Sequence, residues 1–105
     1  RDDELIEFKK GLASIGYNCF GEKVFETVAF KLKKGDQFYL FSDGYTDQFG
    51  GDNIKKFNRK RFRNLLLSIA DKKMKDQKKE LLFSLKNWMG KHEQIDDVCV
   101  LGVKV

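Results

Sequence analysis

The 105-residue chain lacks the features that would place it in a membrane or behind a secretory signal. No apolar run approaches the roughly 20 residues a membrane helix needs. The opening Arg1-Asp2-Asp3-Glu4 is charged where a secretory peptide turns apolar. Only two cysteines occur, Cys19 and Cys99, without metal-ligand spacing, so they read as free thiols in a reducing compartment. The single histidine, His92, lies in a polar stretch and reads as a surface residue rather than a proton-transfer group. There is no initiating methionine, and the chain is expected to be a piece of something longer whose upstream part could carry a membrane anchor. The expected location is the cytoplasm, or the cytoplasmic side of a membrane-anchored parent. The length leaves room for one domain. What is present argues for folding: hydrophobic residues make up 41% and there are ten phenylalanines, too much apolar surface for a chain disordered throughout.

The net charge of +5 is unevenly spread. Residues 1–54 carry −3, residues 55–80 carry +8 and residues 81–105 are neutral. Lys55, Lys56, Arg59, Lys60, Arg61 and Arg63, interleaved with Phe57 and Phe62, look superficially like a nucleic-acid patch. The two rings have a better structural use. With Asn58 as a helix N-cap, Phe57 and Phe62 fall at the two positions of a hydrophobic staple, and the basic residues become a solvated face.

Hydrophobic spacing predicts strand, strand, strand, helix, helix, strand. Glu4 to Lys10 alternates as a short strand with Ile6 and Phe8 on one face. Val24 to Leu32 alternates more clearly, and after the turn Lys33-Lys34-Gly35-Asp36 the run Phe38–Phe41 reads as a central strand, covered on both faces and antiparallel to its predecessor. Ser42 to Asn53 is rich in Gly, Asp, Asn and Thr and reads as a long loop. Phe62, Leu65, Leu66, Ile69 and Ala70 form one helical stripe; Leu81, Leu82, Leu85, Trp88 and Met89 form another, on a helix from near Met74 to Gly90. Their short connection implies an antiparallel hairpin with its basic face outward, and makes Trp88 core rather than a ligand stacker. Val98 to Val105 is rich in β-branched residues and reads as a buried strand.

Two short motifs put carboxylates at strand ends. Ser42-Asp43-Gly44 closes the Phe38–Phe41 run, and Asp96-Asp97 precedes Val98. An acid at the end of a core strand needs a partner. From strand direction alone Asp43 and Asp96 are expected at opposite ends of an antiparallel pair and not to meet in a parallel pair either. Proximity would then require different sheets or an offset.

The string Lys34-Gly35-Asp36-Gln37-Phe38-Tyr39-Leu40-Phe41-Ser42-Asp43-Gly44-Tyr45-Thr46-Asp47, followed after the helices by Asp96-Asp97-Val98-Cys99-Val100-Leu101, resembles the bacterial SpoIIE-type branch of the metal-dependent PPM serine/threonine phosphatases. The resemblance covers nearly the whole chain. It implies an α+β fold in which residues 1–105 are the C-terminal portion of one αββα sandwich with mainly antiparallel sheets. It also implies that strand-end aspartates hold two Mg²⁺ or Mn²⁺ ions in the complete domain, and that architecture supplies the missing proximity. Carried over residue by residue, Asp43 and Asp96 become metal ligands, with Gly44 and Asp97 supporting them and no catalytic side chain beyond the ligands. The implied reaction is in-line hydrolysis of a phosphoserine or phosphothreonine by a metal-activated water, without a phosphoenzyme. The family's N-terminal Gly-Asp and Gly-His-Gly motifs and its further metal-binding acid are absent from this chain, so the chain alone is expected to be inactive. Cys99 stands where the family usually has Thr and is expected to fill the core.

The implied partners are a phosphoprotein substrate in bacterial signalling, the upstream half-domain and a sensor region, with no specific nucleic acid. The alternative is a non-catalytic binding or scaffold module that uses the basic hairpin. Because the strands at 38–41 and 98–105 read as buried on both faces, the isolated chain is expected to self-associate.

Overall fold

A computed structural model describes residues 1–8 and 29–105 of the chain. Cys19 lies outside the described residues, as do Lys9, Lys10 and most of the strand expected over Val24–Leu32. The parts of the first two expected strands that are described, Glu4–Phe8 and Ala29–Leu32, form no strand. Side chains hold these segments instead of a ladder. Phe8 meets Phe30 edge-on at 5.3 Å, and Arg1 lies over the Phe30 ring at 4.7 Å. The Arg1 guanidinium also grips the Asp36 carboxylate through two bonds of 3.0 and 2.6 Å, while the Lys33 N–H donates to the same carboxylate at 2.7 Å. These bonds hold the Asp36 carboxyl well below the usual carboxylate range.

The fold is α+β, and both sheets of the described residues are antiparallel and two-stranded. β1 (Gln37–Phe41) pairs with β4 (Val100–Lys104) rather than with its predecessor, with Leu40 opposite Leu101 and Phe41 opposite Val100. Residues directly opposite share a face, so Tyr39, Phe41 and Val100 turn one way, and Phe38, Leu40, Leu101 and Val103 the other. Burial on both faces does not hold. Leu40 is 61% exposed and Leu101 52%, because no second layer among the described residues covers that face. The covered face carries the polar and aromatic contacts. The Tyr39 hydroxyl donates to Gln77 Oε1 at 2.5 Å; Gln77 Nε2 donates to Gln37 Oε1 at 2.7 Å, and Gln37 Nε2 to the Ala70 carbonyl at 2.7 Å.

The expected loop over Ser42–Asn53 is instead ordered into a helical turn, α1 (Asp43–Thr46), and β2 (Phe49–Gly50), which pairs with β3 (Lys55–Lys56). Tyr45 is the reason. Its ring is 1% exposed, packs 5.2 Å from Phe57 and 4.9 Å from Phe62, and its hydroxyl donates to the Leu81 carbonyl at 2.7 Å. Burial pushes that hydroxyl's pKa up to about 12.

α2 (Asn58–Ile69) and α3 (Met74–Met89) form the expected hairpin. Asn58 takes φ 70° and its Oδ1 accepts the Arg61 N–H at 2.9 Å, which is the work of an N-cap one residue inside the assigned helix start. Both staple rings are buried, with Tyr45 between them as the shared contact. Gly90 ends α3 at φ 52°, a left-handed conformation that a side chain would strain. Phe57, Phe62, Leu66, Ile69, Leu81 and Leu85 form the core with Tyr45. Leu82, expected in the stripe, is 49% exposed. Trp88 is half-buried structure, as expected: it packs on Phe57 at 5.5 Å, its indole donates to the Gln48 carbonyl at 2.9 Å, and Arg61 covers its ring at 4.7 Å. Cys99 does not fill the core; it is a free, exposed thiol.

Candidate metal centre

Antiparallel pairing of β1 with β4 overturns the expected separation of the two acidic motifs. In such a pair the end of one strand lies beside the start of the other, so Asp43, just past Phe41, and Asp96-Asp97, just before β4, flank the same end of the sheet. A clasp extends the ladder there. The Ser42 N–H donates to the Cys99 carbonyl at 2.9 Å, the Ser42 hydroxyl donates to the Asp97 carbonyl at 2.9 Å, and that hydroxyl accepts the Cys99 N–H at 3.0 Å. Ser42 thus binds the backbone on both sides of Val98.

Gly44 makes this approach possible. It is buried, and a Cβ at its position would lie 2.1 Å from the Asp97 carbonyl oxygen and 2.8 Å from its carbon. Any side chain would push the Asp96-Asp97 segment away from the end of β1. Gly44 and Asp97 therefore meet through backbone contact, whereas the carboxylates of Asp43, Asp96 and Asp97 stand at the exposed surface. Asp96 is held by its own neighbour, since its Oδ1 accepts the Asp97 N–H at 2.8 Å. Asp43 begins α1, where a carboxylate is favoured by the helix end, and its Oδ1 lies 3.9 Å from Arg59 Nη2.

The donor chemistry suits a hard divalent cation, which takes carboxylate oxygens and keeps part of its water. The number of donors falls short of a whole site: among the described residues no group of three or more His, Cys, Asp or Glu could hold a metal ion. His92 is half-buried just after α3.

Two residues beside the acids escaped the motif reading. Arg59 reaches Asp43 with one amine and, with the other, Glu7 Oε1 at 3.0 Å. Arg63, one helical turn on, lies 3.7 Å from Glu7 Oε2. The surplus of basic residues at the start of α2 was the only signal of this, and it does not say which carboxylates they face.

A family model described as Stage II sporulation protein E (SpoIIE) matches residues 2–105. The chain belongs to the SpoIIE family. Among solved structures, this SpoIIE-family chain is similar to the SiaA-PP2C domain of Pseudomonas aeruginosa, with 32% identity and a TM-score of 0.65. The match covers 66% of this chain and 28% of that one, so the chain spans well under a third of its structural relative. The comparison with curated protein sequences gave no match. The family links the chain to the PP2C and SpoIIE phosphatases and to divalent-metal dependence in general. Among the described residues no helix is long and apolar enough to cross a membrane.

Proposed function

We propose that residues 1–105 are the C-terminal portion of one metal-dependent phosphatase domain that hydrolyses a phosphoserine or phosphothreonine of a bacterial signalling protein. In this reading Asp43 and Asp96 are the carboxylates the chain contributes to a site for two Mg²⁺ or Mn²⁺ ions. The observation that carries it is the Ser42 clasp, which brings the two acidic motifs to one end of the β1–β4 pair. Divalent ions in such a site would activate water and offset charge on the phosphoryl oxygens. The chain's own part is to place two acids on rigid backbone. Ser42 and Gly44 lock the segment before β4 against the end of β1, and the helical turn α1 fixes Asp43. The remaining ligands would come from the rest of the domain, so this portion alone should release no phosphate.

The test uses the complete protein that contains this chain. Asp43→Ala and Asp96→Ala should each remove nearly all Mn²⁺-dependent phosphate release from a phosphoserine protein while the circular dichroism spectrum is unchanged. Turnover of either variant near that of the unmodified protein at saturating metal would overturn the assignment.

A further inference from the structure

The two sides of α3 differ in kind. Gln77, Leu81 and Leu85 are buried and Trp88 is half-buried, so their side of the helix packs on the domain. Counted from Lys75, positions i, i+3, i+4, i+7, i+8 and i+11 are Lys75, Lys78, Lys79, Leu82, Phe83 and Lys86, which share one helix face, and all six are exposed. Phe83 is 69% exposed, more than any other large hydrophobic residue among those described, and Leu82 beside it is 49% exposed. The acids of α3, Asp76 and Glu80, are half-buried on its flank, and Glu80 pairs with Lys72 at 3.0 Å. Among the described residues no ion pair reaches the four lysines of the stripe. We infer that this face of α3 docks on an anionic lipid surface, with Leu82 and Phe83 entering the headgroup layer and the lysines meeting lipid phosphates around them.

The composition of the stripe selects the occupant. A further layer of protein, the rest of the domain included, would bury four ammonium groups and would have to supply a carboxylate for each. A second copy docked face to face would set the same lysines against one another, because a twofold interface joins a patch to itself. Protein interfaces in general are enriched in Arg and depleted in Lys, and α3 carries no arginine. A nucleic-acid backbone would use the lysines but leave Leu82 and Phe83 in water. A bilayer surface uses all six side chains. Lysine stems lie along it while their ammonium groups reach the phosphates, and Leu and Phe sit just beneath, at the boundary with the acyl chains. From Lys75 to Lys86 the stripe runs roughly 16 Å along the helix at 1.5 Å per residue, so α3 would lie flat on such a surface.

The intact chain is sedimented with vesicles of phosphatidylcholine alone or mixed with phosphatidylserine. It should bind the mixed vesicles and not the neutral ones, with an affinity that falls as salt is raised. Phe83→Ser should weaken binding about tenfold by removing the inserted ring. Lys78→Glu combined with Lys79→Glu should weaken it by at least about 25-fold, since each lysine near such a surface is worth about fivefold. The same change of charge on β3, Lys55→Glu combined with Lys56→Glu, should weaken it by no more than about threefold, because β3 pairs with β2 against the Trp88 side of α3 and screening is effective beyond about 8 Å. The substituted side chains are all exposed, and circular dichroism checks that each variant is folded. On mixed vesicles Phe83→Trp should show blue-shifted emission that brominated lipid quenches. Equal losses from the two double variants, Phe83→Ser binding like the unmodified chain, unquenched emission from Phe83→Trp, or capture by polyglutamate or duplex DNA in preference to the mixed vesicles would each overturn the inference. No metal and no phosphoester enter the measurement, so its outcome is separate from that of the hydrolase reading.

Discussion

Gly44→Ala is a small change with a large expected effect, since the added carbon would meet backbone rather than a flexible side chain. The new Cβ would lie 2.1 Å from the Asp97 carbonyl oxygen, well inside the 3.0 Å below which something must shift, and 3.3 Å from Val98 Cα. Neither neighbour can rotate away. Relief requires parting the end of β1 from the segment before β4, and the two hydrogen bonds of the Ser42 hydroxyl span that gap. Overpacking of this kind costs about 1–3 kcal/mol. Loss of the two hydrogen bonds adds about 0.5–1.5 kcal/mol each. The expected destabilisation is about 2–6 kcal/mol, a large share of the roughly 5–15 kcal/mol that holds a typical domain folded. Denaturant unfolding followed by the fluorescence of Trp88, the only tryptophan, measures it directly. In the complete protein the same substitution should also weaken Mn²⁺ binding, because Asp96 moves with Asp97. A Gly44→Ala variant within about 0.5 kcal/mol of the unmodified chain would refute the close approach and with it the supporting role of Gly44.

The other predictions concern the cap, the Arg1–Asp36 ion pair and the uncovered sheet face. Asn58→Ala should cost about 2 kcal/mol, from a lost cap and a side chain held at positive φ, whereas Asn58→Gly should cost only a few tenths; equal losses in thermal unfolding would contradict the assignment of φ 70°. Because Arg1 lowers the carboxyl pKa of Asp36 in the folded chain, that pair contributes stability above the ordinary carboxylate pKa of about 4 and loses it as pH falls through the lower folded value. Asp36→Asn should therefore be destabilising at pH 7 and progressively less so in urea melts taken towards pH 2. The chain by itself should self-associate through the face carrying Leu40 and Leu101, and light scattering should show Leu40→Glu with Leu101→Glu to be monomeric; an unmodified chain that stays monomeric at all concentrations would refute this.

The helical hairpin was legible before any coordinates because its determinants are local. Stripes at three- and four-residue spacing, Asn58 at one end and Gly90 at the other act over a few residues, and they placed α3 at Met74–Met89. The short strands were harder to read. Alternation over Glu4–Lys10 suggested a strand, yet the described part of that segment is held by Arg1, Phe8 and Phe30 contacts without a ladder. Tyr45 shows the converse failure. Surrounded by Gly, Asp and Thr it looked like loop, and only the rings of Phe57 and Phe62 and the Leu81 carbonyl make it core.

By itself the sequence determined the α2–α3 hairpin, the membership of a phosphatase family and the two acidic motifs as places to look, since each of these is written in residues close together along the chain. Tertiary structure alone decided that the motifs share one end of a sheet and that Glu7 lies between two arginines. Ser42 and Asp97 are 55 residues apart and Glu7 and Arg59 are 52 apart. No local pattern encodes such a meeting. The meeting of Ser42 with Asp97 follows from the antiparallel register of β1 on β4, and that of Glu7 with Arg59 from where the N-terminal segment lies against α2.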